Sequence, residues 1–165
     1  MMKSYMQRKM DLINQQLNEI YTENMALNKD LAKAMNYSLM AGGKRLRPIL
    51  IMAAADALGV DGEKFLRLST SIEFIHTYSL IHDDLPEVDN DDFRHGKPTN
   101  HKQFNHPTAL LAGDSLFNQA YIVMSKDLAK SATQNKIRIF GEFSNAVDRM
   151  IAGEYLDTEL EGQQI

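Results

Sequence analysis

Asp83, Asp84, Glu87, Asp89, Asp91 and Asp92 place six carboxylates within ten residues, and Arg94, His95 and Lys97 follow at once. Acid alone reads as a solvated loop. Acid abutting base, with Pro86 and Gly96 fixing the turns, suits a site that takes a metal and a polyanion together. A hard ion such as Mg2+ keeps several waters and accepts one or two carboxylates plus phosphate oxygens. Asp83 and Asp84 at a helix end, with Asp89 brought back by a turn, can present that pattern; on composition alone a solvated acidic loop remains the other reading. A calcium-binding EF-hand is excluded, because Phe93 falls where the fifth loop position after Asp89 needs an oxygen ligand. No two histidines sit at helical spacing beside a third ligand, which argues against zinc.

A second group is Gly42, Gly43, Lys44, Arg45, Leu46 and Arg47. Two glycines allow close backbone approach, and the cations stand at a helix start, where N–H groups point outward. Lys44 and Arg47 are three apart and share a face. The spacing is not that of a P-loop, and the group reads either as a surface patch or as an anion site. His76 precedes Asp83 by two helical turns and lies on nearly the same face. The stripe Phe140, Ser144, Val147 and Ile151 turns acidic as it continues into Glu154, Asp157 and Glu161, which points to an end that lines a polar cavity. Asp114, among Leu110, Leu111 and Phe117, reads as a buried, hydrogen-bonded structural acid.

The elements that must position these residues are helical. Met6, Met10, Ile13, Leu17 and Ile20 recur at spacings of four and three, predicting a helix from about Ser4 to Leu27. A second covers Asn28 to Leu39 and breaks at Gly42 and Gly43. Pro48 suits the first turn of a third, which stops at Gly59 to Gly62. A fourth starts near Glu63 and reaches Asp83 or Asp84. Pro86 disfavours helix at Leu85, so residues 85–107 read as loop. Thr108 is the expected cap of a fifth helix, and a sixth starts near Ala132. No strand is predicted. The fold class is all-α, in one domain over 1–165.

The chain has 165 residues, 44% hydrophobic and 24% charged, enough for one real core. Its net charge of −4 gives no electrostatic reason for a nucleic-acid partner. Without cysteine neither a disulfide nor a thiolate site is possible. The N-terminus lacks the apolar core of a signal peptide, and the most apolar run, Pro48 to Val60, is too short to span a bilayer. The expected location is cytoplasmic, with no membrane insertion.

Taken in order, the Gly-Gly-Lys-Arg-Leu-Arg-Pro run at 42–48, Ile-His-Asp-Asp-Leu-Pro at 81–86, Asp-Asn-Asp-Asp at 89–92, Arg-His-Gly-Lys-Pro-Thr-Asn-His at 94–101 and Ala-Gly-Asp-Ser-Leu at 112–116 resemble the trans-polyprenyl diphosphate synthases, the bacterial farnesyl diphosphate synthase type above all. The resemblance covers the chain from about residue 25. It implies the N-terminal half of the isoprenoid synthase helical bundle, a homodimer, and condensation of isopentenyl diphosphate with an allylic diphosphate ionised on Mg2+. It implies metal on Asp83 and Asp89 with Asp84 helping, isopentenyl diphosphate on Lys44, Arg47 and His76, and allylic diphosphate on Arg94. Tyr78, about 7.5 Å along the helix axis from Asp83, is then the aromatic floor that stops elongation near C15, and Glu154 and Asp157 line the cavity.

Two residues depart from the family pattern. His95 stands where the family has a second Arg for isopentenyl diphosphate and carries charge only when protonated. Glu154 replaces a neutral amide. The family pattern also continues with as much sequence again, including a second Asp-rich motif. The expectation is therefore an N-terminal half that is weakly active or inactive alone. The alternative is a non-catalytic helical subunit or fragment that pairs with a complete synthase.

Overall fold

The structure, a computed structural model, describes residues 2–24 and 28–160; the expected helix end at Leu27 and the acidic Glu161 lie outside them. Helix α1 (Met2–Asn24) buries Ile13, Leu17 and Ile20 completely and packs on α3 (Leu46–Ala57) and α4 (Leu66–Asp83). Helix α2 (Lys29–Leu39) starts where Asn28 Oδ1 accepts from the N–H groups of Asp30 and Leu31, at 3.0 and 3.1 Å. That side-chain oxygen satisfies two donors which an uncapped helix leaves open. The chain leaves α2 through Gly42 and Gly43, at φ +124° and +113°, values that a side chain opposes.

Helix α4 is buried on several faces at once, although its sequence is rich in hydroxyls. Ser69, Thr70 and Ser71 donate to the carbonyls three residues back, each at 2.7 Å, and Thr77 donates to the Glu73 carbonyl at 2.9 Å. With its polar groups satisfied inside the helix, α4 can be surrounded without unpaired donors. A 3-10 turn (Gly62–Phe65) precedes it, so the helix proper begins three residues later than predicted, after Asp61 Oδ1 has accepted from Glu63 N–H.

Four further features differ from expectation. Residues 93–98 form a two-stranded antiparallel hairpin, β1 (Phe93–Arg94) and β2 (Lys97–Pro98), with Arg94 opposite Lys97. Its turn places His95 and Gly96 at φ +53° and +76°, the paired left-handed geometry of the tightest hairpins. Two-residue strands are too short to show an alternating pattern. A short helix, α5 (Asn100–Gln103), follows. Helix α6 (His106–Lys130) starts ahead of Thr108 because Asn105 is the cap: its Oδ1 accepts from Thr108 N–H at 2.9 Å. Helix α7 (Lys136–Leu160) starts at Lys136, since the Ser131 and Thr133 hydroxyls take the N–H groups of Thr133 and Asn135 into turns. The chain divides into two compact units, Met1–Val123 and Met124–Ile165. Among the described residues no helix is long and apolar enough to cross a membrane.

Polar contacts fix α1 to the end of α3. Asp56 accepts from Tyr5 Oη at 2.6 Å, from Gly62 N–H at 2.7 Å, and pairs with the buried Lys9 Nζ at 3.2 Å. Lys9 also reaches Glu63 at 3.7 Å, and Arg8 bonds the same carboxylate. The Tyr5 hydrogen bond, with those of Gly62 and Lys9, lowers the Asp56 carboxyl to about 2. A carboxylate lowered by folding contributes stability above its ordinary value near 3.8, and loses it as pH falls through about 2. Asp56→Asn is thus expected to lower Tm at pH 7, with the difference from wild type closing between about pH 4 and pH 2 in melting curves.

Candidate active site

A cavity of about 610 Å3 lies within the first unit, bordered by the α2–α3 connection, α4 and the hairpin. It brings together Lys44, Arg47, His76, Asp84, Arg94 and His95, residues that sequence reading singled out across a span of more than fifty positions. Five permanent cations, Lys44, Arg45, Arg47, Arg94 and Lys97, face two carboxylates, Glu73 and Asp84. That excess of three positive charges, in a chain of net charge −4, marks the cavity as a place for an anion.

The cations divide into those already paired and those not. Arg45 donates from Nη1 to Glu73 Oε1 at 2.7 Å, from Nη2 to the Leu39 carbonyl at 2.7 Å and from Nε to Asn14 Oδ1 at 2.9 Å. The Arg45 and Glu73 side chains are 4% and 5% exposed, so this pair joins α1, α2 and α4 and is not free to hold a ligand. Arg45 does so from a left-handed backbone, φ +50°, just ahead of α3. The neighbouring Lys44 and Arg47 are exposed and have no hydrogen-bond or ion-pair partner among the described residues. Burial, then the adjacent Arg47, holds the His76 imidazole below its usual range. At neutral pH His76 is therefore an uncharged hydrogen-bonding group.

On the acidic side, Arg94 Nε donates to Asp84 Oδ1 at 2.7 Å and its Nη2 to Asp83 Oδ2 at 3.2 Å, with Asp91 3.8 Å away. Asp84 is 3% exposed, and that burial pushes its carboxyl up to about 6 against the opposing pull of Arg94. The loop after α4 turns back on itself, so that Asp89 N–H donates to the Asp83 carbonyl at 3.0 Å. The Asp89 side chain is exposed and does not border the cavity. Among the described residues no group of three His, Asp or Glu is poised around a metal. The donor set nonetheless fits Mg2+: two hard carboxylates stand side by side and already hold a cation, the Arg94 guanidinium. An incomplete protein cage leaves positions for water and phosphate oxygens, as this ion prefers.

Tyr78 faces another group, with its ring 4.9 Å from that of His82 and 5.0 Å from Phe117, which in turn is 5.1 Å from Tyr121. Here α6 crosses α4 closely: His82 Nε2 lies 3.1 Å from the Leu110 carbonyl, and a Cβ on Gly113 would collide with the His82 ring. Asp114 is exposed, 3.7 Å from His82 Nε2 of α4, and is not the buried acid expected from its apolar neighbours. Glu154 and Asp157 belong to the second unit, in the last part of α7, where every described residue is exposed.

Sequence reading gave no role to Glu73, Lys97 or Asn100. Asn100 Nδ2 donates to the Ala34 carbonyl and to Ser38 Oγ, both at 2.8 Å, which ties the residues after the hairpin to α2. Lys97 was visible as a basic residue two positions after His95; the hairpin that turns it toward Arg94 was not.

With this geometry in place, the comparisons define the class. The sequence matches the polyprenyl synthetase family over residues 28–164. It is 42% identical over 149 residues to the farnesyl diphosphate synthase of Bacillus subtilis (strain 168), covering 88% of this chain and 50% of that one. To the enzyme of the same name from Geobacillus stearothermophilus it is 45% identical over 148 residues, with the same two shares. The solved structure of a geranyltransferase from Legionella pneumophila matches 99% of this chain and 58% of its own, at 34% identity and a TM-score of 0.92. The chain belongs to the polyprenyl synthetase family. It spans about half the length of the curated relatives it matches.

Proposed function

We propose that the chain carries the first metal site and the diphosphate cavity of a prenyltransferase, one that condenses isopentenyl diphosphate with a C5 or C10 allylic diphosphate to farnesyl diphosphate. The observation that carries this reading is the cavity itself, which gathers unpaired Lys44 and Arg47 with His76, Asp84 and Arg94, the last of which also bonds Asp83 beside it. Asp83, Asp84 and Asp89 would hold Mg2+, which when bound supplies Lewis-acid stabilisation of a leaving diphosphate. Lys44, Arg47, His76 and His95 would hold isopentenyl diphosphate, with His76 contributing a neutral hydrogen bond. Arg94 would turn from the aspartates to the allylic diphosphate, where a planar guanidinium matches phosphate oxygens. Tyr78, wedged against Phe117 and His82, would floor the tunnel for the growing chain. Glu154 and Asp157 keep the cavity-lining role that the resemblance implies, and the proposed setting is a cytoplasmic homodimer.

The test is product formation from isopentenyl and geranyl diphosphates with Mg2+, read by mass spectrometry. Weak or no farnesyl diphosphate is expected from the 165 residues alone, together with Mg2+-dependent binding of inorganic pyrophosphate. Robust turnover would overturn the claim that further sequence is required. Absence of both binding and turnover would overturn the site assignment.

One observation favours the second reading, a helical subunit or fragment that pairs with a complete synthase. Helix α7 exposes Ile137, Ile151, Tyr155, Leu156 and Leu160, large apolar side chains of the kind a partner surface covers. Activity that appears only when a complete synthase is added would support it.

A further inference from the structure

Lys97 borders the same cavity as Lys44 and Arg47, and like them it has no ion-pair or hydrogen-bond partner among the described residues. The other two permanent cations are held internally, Arg45 by Glu73 and Arg94 by Asp83 and Asp84. Three unpaired cations around one cavity repel one another unless an anion stands between them. Lys97 is also placed by register. It lies directly opposite Arg94 across the hairpin, and residues opposite one another in an antiparallel pair project to the same face. Arg94 uses that face to reach Asp84. His95, in contrast, occupies the turn itself, and its charge depends on protonation.

We propose that Lys97 is a diphosphate-binding residue, supplying from the second hairpin strand the permanent positive charge that position 95 lacks. The inference rests on the function proposed above, since it names one more donor for the same anion. Its chemistry is that of a mobile ammonium which can follow a diphosphate over several geometries, without the fixed fork of an arginine.

Isopentenyl diphosphate binding to the whole 165-residue chain, measured by calorimetry with Mg2+ present, tests it. Lys97→Gln is expected to weaken binding about tenfold, the usual scale for one charge-assisted hydrogen bond. Lys97→Arg should stay within about twofold of wild type. Because Lys97 is exposed and unpaired, the melting curve of Lys97→Gln without ligand should superpose on that of wild type. Adding His95→Arg to Lys97→Gln should recover most of the lost affinity; no recovery overturns the claim that the two positions serve one charge. Wild-type binding with Lys97→Gln unchanged overturns the role of Lys97 and leaves the proposed function standing. A wild-type chain that binds no diphosphate overturns both.

Discussion

Arg45→Met is expected to destabilise the protein by about 3–5 kcal/mol, read from urea or thermal unfolding. The size follows from what the substitution leaves behind. Glu73 sits in α4 with its side chain 5% exposed, and Arg45 is its ion-pair partner at 2.7 Å. Losing one member of a buried pair strands the other charge, and it also strands the Leu39 carbonyl at the end of α2, which accepts from Arg45 Nη2. A typical domain has only about 5–15 kcal/mol to lose. Removing both charges should cost less than removing one: Arg45→Met with Glu73→Leu is expected to recover part of the loss, because an apolar pair leaves no uncompensated ion. A double variant as unstable as Arg45→Met alone would show that the hydrogen bonds to Leu39 and Asn14, and not the ion pair, carry the effect.

Asp84→Asn is expected to weaken Mg2+-dependent binding of pyrophosphate about a hundredfold, while the folded state at pH 7 is as stable as wild type or more so. The two outcomes have one cause. Burial raises the Asp84 carboxyl to about 6, so folding disfavours its charged form relative to the unfolded chain, although the group is still mostly ionised at pH 7. For an acid shifted upward, the electrostatic cost of folding appears as pH rises from about 3.8 to about 6 and is complete at neutral pH. A neutral isostere escapes that cost but offers the metal a weaker donor. At a concentration one hundred times the wild-type Kd, binding stabilises wild type by about 2.7 kcal/mol and the variant by only ~0.4 kcal/mol. A thermal shift with Mg2+ and pyrophosphate, at matched concentrations, separates them. Equal shifts would remove Asp84 from the metal site.

Much of the fold was legible because helical stripes are long. Ile13, Leu17 and Ile20 on α1 were read from spacing alone, and all three are fully buried. What escaped depends on short-range geometry or distant partners. The hairpin at 93–98 rests on two left-handed residues, one of them a histidine, and no periodicity announces it. Asn105 rather than Thr108 caps α6, since both residue types are good caps and only the side-chain direction decides. For the site, Lys44, Arg47, His76 and Arg94 could be named from residue type and neighbourhood. Only helical spacing sets Arg45 apart from Lys44 and Arg47 in the sequence. Its commitment to Glu73, twenty-eight residues away, needed the tertiary fold. Asp114 misled because the apolar residues that share its helix face are not the buried ones: Leu110 and Leu111 are 39% and 54% exposed, while Ala112 and Leu116 carry the core contact of α6.

The guanidinium of Arg94 between Asp83 and Asp84 has a thermodynamic consequence for the proposed function. One positive charge already stands between the two carboxylates before any ligand arrives, so a metal ion entering alone competes with a bound cation. A diphosphate entering alone must draw Arg94 away and leave two carboxylates facing each other. When both arrive, each supplies the partner that the other displaces. Under that proposal the ion pair would make the affinity of either ligand depend on the presence of the other, by the same factor in both directions.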